Sequence, residues 1–254
     1  MRRTEIALLA IGNAAGALAF FWPFVFSDTP IGTSRIVPFA WALALPVLLV
    51  ITIESILRAK ADVRMLAMIA ALASLAAASR PLGAGAAGLE PIWAVLLLSG
   101  RALGARAGFV IGALAMAVSA IVTGGIGPWL PYQMMVAAWV GALPGFLPSL
   151  RGRMELALLA MFGALTGLAT GSLLNLWFWP LAVGIAPEIS FVPGAGALTN
   201  LEHWLRYGLL TSAGFDIPRA IITSTLLVVS APKLLPILRR ATRRASFAAV
   251  LGEE

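Results

Sequence analysis

Residues 101–133 read RALGARAGFVIGALAMAVSAIVTGGIGPWLPYQ, and three zones follow one another along them. A short basic connection carries Arg101 and Arg106, an uncharged run continues to Thr123, and a segment rich in Gly, Pro and aromatics runs from Gly124 to Gln133. A run of this length and apolarity predicts a helix lying in hydrocarbon, since about 20 residues rising 1.5 Å each cover the bilayer core. The basic residues before it and the helix-breaking, interface-seeking residues after it give the run two chemically different ends.

The same alternation extends in both directions. Apolar runs occupy 6–26, 36–57, 65–79, 88–100, 106–123, 131–149, 155–179 and 215–238. They predict an all-α, polytopic membrane helical bundle of about eight transmembrane helices, of which the third and fourth are short enough to form a tilted or partly re-entrant pair. Composition agrees: 60% of the 254 residues are hydrophobic, 11% are charged and the mean hydropathy is +0.95, more apolar surface than a water-soluble domain of this size can hide. Arg2 and Arg3 precede the first run as they would a signal peptide, but the run exceeds a signal core and no small-residue cleavage site follows, so a retained helix is expected.

With the N-terminus inside, the cytoplasmic segments collect Arg2, Arg3, Arg58, Lys60, Arg64, Arg101, Arg106, Arg151, Arg153, Lys233, Arg239, Arg240, Arg243 and Arg244, 14 of the 18 basic residues. Arg35, Arg80, Arg206 and Arg219 fall outside. Repeated at each inside loop, this bias predicts a multi-pass protein of the cell membrane with both termini cytoplasmic. The net charge of +7 is thus topological; no basic stripe with interleaved aromatics speaks for nucleic acid.

The outer connections have their own texture. Segments 80–90, 124–133 and 177–218 are rich in Gly, Pro and aromatics, which suits plain loops and equally suits the cover of a pocket. The last is longer than a helix connection needs and carries Trp177, Trp179, Phe191, Asn200, His203, Trp204, Arg206, Tyr207, Phe215 and Asp216, a mixture able to hold an organic solute.

Small residues four apart allow close helix approach, and the chain offers Gly12 with Gly16, Gly108 with Gly112, Gly163 with Gly167 and Gly171, Ala67 with Ala71, and Ala73 with Ala77. Thr166 and Thr170 could add interhelical hydrogen bonds beside the third set. Asn13, Asn175 and Gln133 are amides near membrane depth that should staple helices, with solute contact also open to Asn175 and Gln133. Glu54 and Glu155 are expected at inner helix ends.

Much chemistry is missing. There is no cysteine, and a single histidine, His203, makes no multi-histidine metal site; no zinc-protease or hydrolase motif is present. Lys60 and Lys233 are the only lysines and neither sits in a phosphate-binding loop, so ATP-driven work would need another subunit. All eleven acids lie at or near span ends, which disfavours the buried ion site of a secondary transporter.

From about Met65 to Arg244 the chain resembles the substrate-binding (S) component of an energy-coupling factor (ECF) transporter, a vitamin-uptake class of ABC importer. The resemblance rests on Arg80-Pro81-Leu82-Gly83 after an alanine-rich span, Gly100-Arg101-Ala102-Leu103-Gly104, the Gly124-Gly125-Ile126-Gly127-Pro128-Trp129-Leu130-Pro131-Tyr132-Gln133 turn, and Asp216-Ile217-Pro218-Arg219-Ala220 before the last span. It implies a six-helix substrate-binding core over residues 61–254 with a basic cytoplasmic tail, and makes residues 1–60 a two-helix N-terminal extension. It implies no catalytic residue and no cofactor, and as partners a membrane coupling subunit and two ATPases. By position, Ala67 and Ala71 would meet the coupling subunit. Arg80, Leu82, Gly83, Glu90, Trp129, Tyr132, Gln133, Asn175, Trp179, Phe191, Asn200, Trp204 and Phe215 would form the outward pocket. Metal-ion versions place a histidine close after the initiator methionine; here Arg2 and Arg3 stand there, and the sequence is most similar to members assigned to cobalamin. A stand-alone secondary transporter or channel is the competing expectation, and a lipid-acting enzyme using Arg80, Glu90, His203 and Asp216 a third.

Overall fold

The computed structural model describes residues 3–29, 34–57, 63–83, 88–182 and 186–251. Arg2, Arg58 and Lys60, the boundary drawn at 60/61, and residues 84–87 of the first outer loop lie outside the described residues. Within them all regular structure is helical: α1 (Arg3–Val25), α2 (Val37–Leu57), α3 (Val63–Ser79), α4 (Ile92–Leu103), α5 (Ala105–Thr123), α6 (Leu130–Ala142), α7 (Gly152–Phe178), α8 (Ala197–Thr211) and α9 (Ala213–Leu251), joined in places by short 3₁₀ turns.

Each of the eight apolar runs forms a helix, but their lengths differ from expectation. The third run continues through a 3₁₀ turn to Gly83 and reaches 21 residues, long enough to cross a membrane. The sixth, expected to reach 149, stops at Ala142 and tightens into a 3₁₀ turn over Leu143–Phe146. Pro144 lacks the N–H that another α-turn would use. The fourth is short as expected, at 12 residues.

Among the described residues, six stretches are long and apolar enough to cross a membrane: Ala7–Val25, Val37–Glu54, Val63–Gly83, Ala105–Thr123, Gly152–Leu181 and Ala213–Ala245. In the fourth of these 61% of the residues are buried, against 22–33% in the other five, so α5 is the central post and the rest surround it. The outer faces are apolar: Leu43, Ile121 and Val229 are all more than two-thirds exposed. In water such a surface would aggregate, whereas in hydrocarbon it is matched by its solvent. The chain is a multi-pass helical membrane protein.

Small residues set the packing distances. Gly104, with φ of 90°, turns the chain directly from α4 into α5 in a conformation that favours glycine. Along the α7–α9 seam, Gly163 lies against Ser224 and Leu227, Gly167 against Ala220, and Gly171 against the Asp216 carboxylate. Beside the glycines of this seam the Ser224 hydroxyl donates to Ala160 O across the helices at 2.7 Å, whereas Thr170, expected to bond across the seam, donates to Gly167 O of its own helix.

The N-terminal pair packs into the same core as the rest: Ala19, Phe20, Leu45 and Leu49 are buried in the central hydrophobic cluster. As expected, Asn13 is a staple, accepting from Trp139 Nε1 of α6 at 2.8 Å while donating to Leu9 O.

Helix α8 was not anticipated within the long outer segment. Its Asn200 and Tyr207 face inward while Leu198, Leu209 and Leu210 are more than 70% exposed, an amphipathic helix with its apolar side outward. Helix α9 has 39 residues, about 58 Å at 1.5 Å per residue, far beyond the roughly 30 Å hydrocarbon core.

Candidate functional site

Cross-contacts divide the bundle into two ends. At one, Arg101 at the close of α4 donates to Leu147 O and Pro148 O, both at 2.9 Å, and pairs with Glu155 Oε1 at 2.7 Å; Arg239 of α9 completes the set on Glu155 at 2.5 and 3.0 Å. Glu155 therefore stands at a helix end, buried between two guanidinium groups. At the other end meet the three Gly, Pro and aromatic segments that the sequence singles out.

That second end has a polar part and an aromatic part. In the polar part Gly88, at φ 72°, packs on the backbone of Phe215 and Arg219, an approach that leaves no room for a side chain and carries Glu90 beside α9. Glu90 Oε2 accepts from Trp93 Nε1 at 2.5 Å and from Arg219 Nε at 2.6 Å. Arg219 also donates to Asp216 Oδ1 at 2.5 Å and Gly167 O at 3.4 Å, so one guanidinium joins α9, α7 and the approach to α4. Arg80, just past α3, donates to Ser119 Oγ at 3.2 Å and Gln133 Oε1 at 3.4 Å, drawing in α5 and α6. Asn175 donates to Ser212 Oγ, holding the end of α7 to the turn before α9.

In the aromatic part Trp179 is fully buried, donates to Ile189 O at 2.7 Å, and lies 5.4 Å from Phe191 and 6.0 Å from Phe24, ring centre to centre. Trp22 packs on Phe191 and Trp204 on Phe24. The indole N–H groups of Trp22 and Trp204 are buried without a hydrogen-bond partner. Tyr132, also fully buried, donates to Pro38 O at 2.8 Å and sits between Phe20 and Trp177.

The expected pocket residues thus fall into groups. Arg80 with Gln133 and Glu90 with its partners line the polar part; Trp179, Phe191, Asn200 and Trp204 build the aromatic part, with Tyr132 beside it. Gly83 is buried against the Leu89 carbonyl, whereas Leu82 and Phe215 are exposed and Trp129, 40% exposed, donates to Gly125 O beside its own turn. His203 meets Ser190 O through Nδ1 at 2.7 Å. Among the described residues no cluster of His, Cys, Asp and Glu could hold a metal ion. A small cavity of about 110 Å³ lies at this end beside Trp22, Pro38 and Phe191.

Reasoning from sequence did not select Arg219, Trp93, Ser119, Trp22 or Phe24 for the site, and it named Asp216 only within the long outer segment and the enzyme alternative. A usable signal existed for Arg219: it breaks the basic-residue bias, and an outlying cation in an apolar chain needs an acid nearby, here Asp216 and Glu90. Trp22 and Phe24 belong to the N-terminal pair that the resemblance sets apart.

Asn200 holds the aromatic part in register. It is fully buried; its Oδ1 accepts from Val192 N at 2.9 Å and its Nδ2 donates to Val192 O at 2.9 Å and Gly196 O at 3.3 Å. Asn200→Ala removes all three and is expected to cost about 1–3 kcal/mol. Thermal unfolding measures the cost, and faster hydrogen exchange at the Val192 amide locates it.

No family model, no curated protein and no solved structure matches the chain. Fold and surface alone define its class, a helical multi-pass membrane protein.

Proposed function

We propose that this chain is the substrate-binding S component of an ECF-type importer in the cell membrane. It crosses the bilayer eight times with both termini in the cytoplasm, and captures a vitamin-like micronutrient, cobalamin being the favoured candidate, at the aromatic end. The observation that carries the proposal is the outward face of α3. Ala67 and Ala71 are exposed there, while Ala73, Ala76 and Ala77 turn into the core, so the helix presents a small-residue track on which a coupling subunit's helix could pack closely. The cavity of about 110 Å³ beside Trp22 and Phe191 is smaller than a bulky solute, which favours a gated site in which the segment carrying Phe191, Asn200 and Trp204 moves before the solute is seated. ATP hydrolysis belongs to separate subunits and the chain itself is non-catalytic.

The purified chain is expected to bind one member of a vitamin panel at micromolar concentration or below by isothermal titration calorimetry, to hydrolyse no ATP, and to support uptake only with a coupling subunit and ATPases. Ala67→Trp should spare vitamin binding and abolish co-purification of the coupling subunit. Solute flux through liposomes containing this polypeptide alone, driven by a pH or sodium gradient, would instead establish a stand-alone secondary transporter or channel.

A further inference from the structure

A wide opening lies away from the candidate pocket, at the arginine-rich end. A cleft of about 830 Å³ separates the start of α7 from the later turns of α9. That volume lies within the roughly 300–1,000 Å³ range of small-molecule sites. Its rim carries Arg151, Arg153, Arg239, Arg240 and Arg243, against one carboxylate, Glu155.

The acid does not neutralise the rim. Glu155 is buried and both its oxygens are taken by Arg101 and Arg239. Arg240 spends its Nε on Pro236 O at 3.3 Å. Arg151, Arg153 and Arg243 are exposed, and no described residue pairs with them. Below the arginines the wall is apolar, formed by Leu156 and Leu159 of α7 and by Ala231 and Leu235 of α9. Both helices belong to the membrane-crossing set, so the cleft opens where headgroups meet acyl chains. An acidic peptide would satisfy the rim but would lay its polar backbone against the leucines. A diacyl lipid satisfies both.

We infer that this cleft is a binding site for an anionic glycerophospholipid, its phosphodiester held by Arg151, Arg153 and Arg243 and an acyl chain lying on the leucine wall between α7 and α9. Recognition is by charge at the rim and by apolar contact below, so a zwitterionic lipid of the same chain length binds more weakly. The site is independent of whatever solute the opposite end takes.

The test uses the delipidated full chain in a non-ionic detergent, titrated by native mass spectrometry with phosphatidylglycerol, phosphatidylcholine and inorganic phosphate. Phosphatidylglycerol is expected to bind at least about tenfold more tightly than phosphatidylcholine. The triple variant Arg151→Gln, Arg153→Gln, Arg243→Gln should weaken phosphatidylglycerol by at least about tenfold and phosphatidylcholine much less, so that the variant binds the two alike. The same three positions changed to lysine should keep the preference, and an unaltered unfolding midpoint in both variants excludes a folding defect, since none of the three contacts the Glu155 set. Equal affinity for the two lipids, or full retention by the glutamine variant, overturns the inference. Displacement of phosphatidylglycerol by inorganic phosphate at equal concentration would reduce the cleft to a free-anion site. Binding of a polyglutamate peptide without any lipid preference would assign it to an acidic protein segment.

Discussion

Gly108→Leu is expected to destabilise the protein by roughly 3 kcal/mol and to separate α5 from α6, because at this position the new side chain has no empty space to enter. A Cβ on Gly108 would be driven into the Gly141 carbonyl and toward Gly100, and one on Gly112 into the Ala137 carbonyl. These obstacles are backbone, which no rotamer change can move aside. Gly141 reciprocates against the Gly108 carbonyl, and Gly100 of α4 packs on the Gly141 carbonyl, so α4, α5 and α6 converge on one glycine-lined crossing. Since α5 is the most buried of the long helices, the strain cannot be shed toward lipid. Gly208→Ala in α8 is the control: nothing lies near the added methyl, and the gain in helix propensity predicts a stabilisation of up to about 1 kcal/mol. Reversible unfolding in mixed micelles, followed by tryptophan fluorescence, measures both.

That crossing was legible in sequence as Gly108 and Gly112, and so was most of the bundle, because a helix in hydrocarbon must satisfy its backbone internally and so announces itself by length and apolarity alone. The Gly163, Gly167 and Gly171 series likewise marked the α7–α9 seam. What sequence left hidden has physical reasons. Helix α8 interrupts no charge pattern and has too little mean apolarity to stand out, since one side carries leucines and the other Asn200, His203 and Tyr207. Its Gly and Pro flanks read as loop. The early end of α6 follows from Pro144, which an apolar window cannot distinguish from a tolerated kink. At the candidate site the aromatic and amide residues were legible as types, but their partners were not: Tyr132 meets Pro38, and Trp179 meets Phe24, across distances in sequence that only tertiary packing closes. The same holds for the ion set, where Glu90 and Arg219 are 129 positions apart.

The ion set also supports the other large prediction. Arg219→Met is expected to cost about 3–5 kcal/mol, the usual consequence of leaving a buried charge without its counter-ion. The Arg219 side chain is 12% exposed and the Asp216 side chain 8%, so Asp216 cannot recruit water in place of the lost guanidinium; Glu90, at 35%, partly can. The cost should therefore track Asp216. Arg219→Met combined with Asp216→Asn is expected to recover most of it, because the amide has the carboxylate's shape without its charge, whereas Arg219→Met with Glu90→Gln should recover little. A double-mutant cycle in unfolding free energy reads out the difference directly. The recovered double variant then separates two roles for the set. Arg219 ties α9 to Gly167 of α7 and to Glu90 ahead of α4, which are the elements that must stay registered if the aromatic end is to open and close as a unit. If that variant folds with wild-type stability but loses the binding isotherm of the parent chain, the ions position the solute site; if it binds normally, they serve the bundle alone.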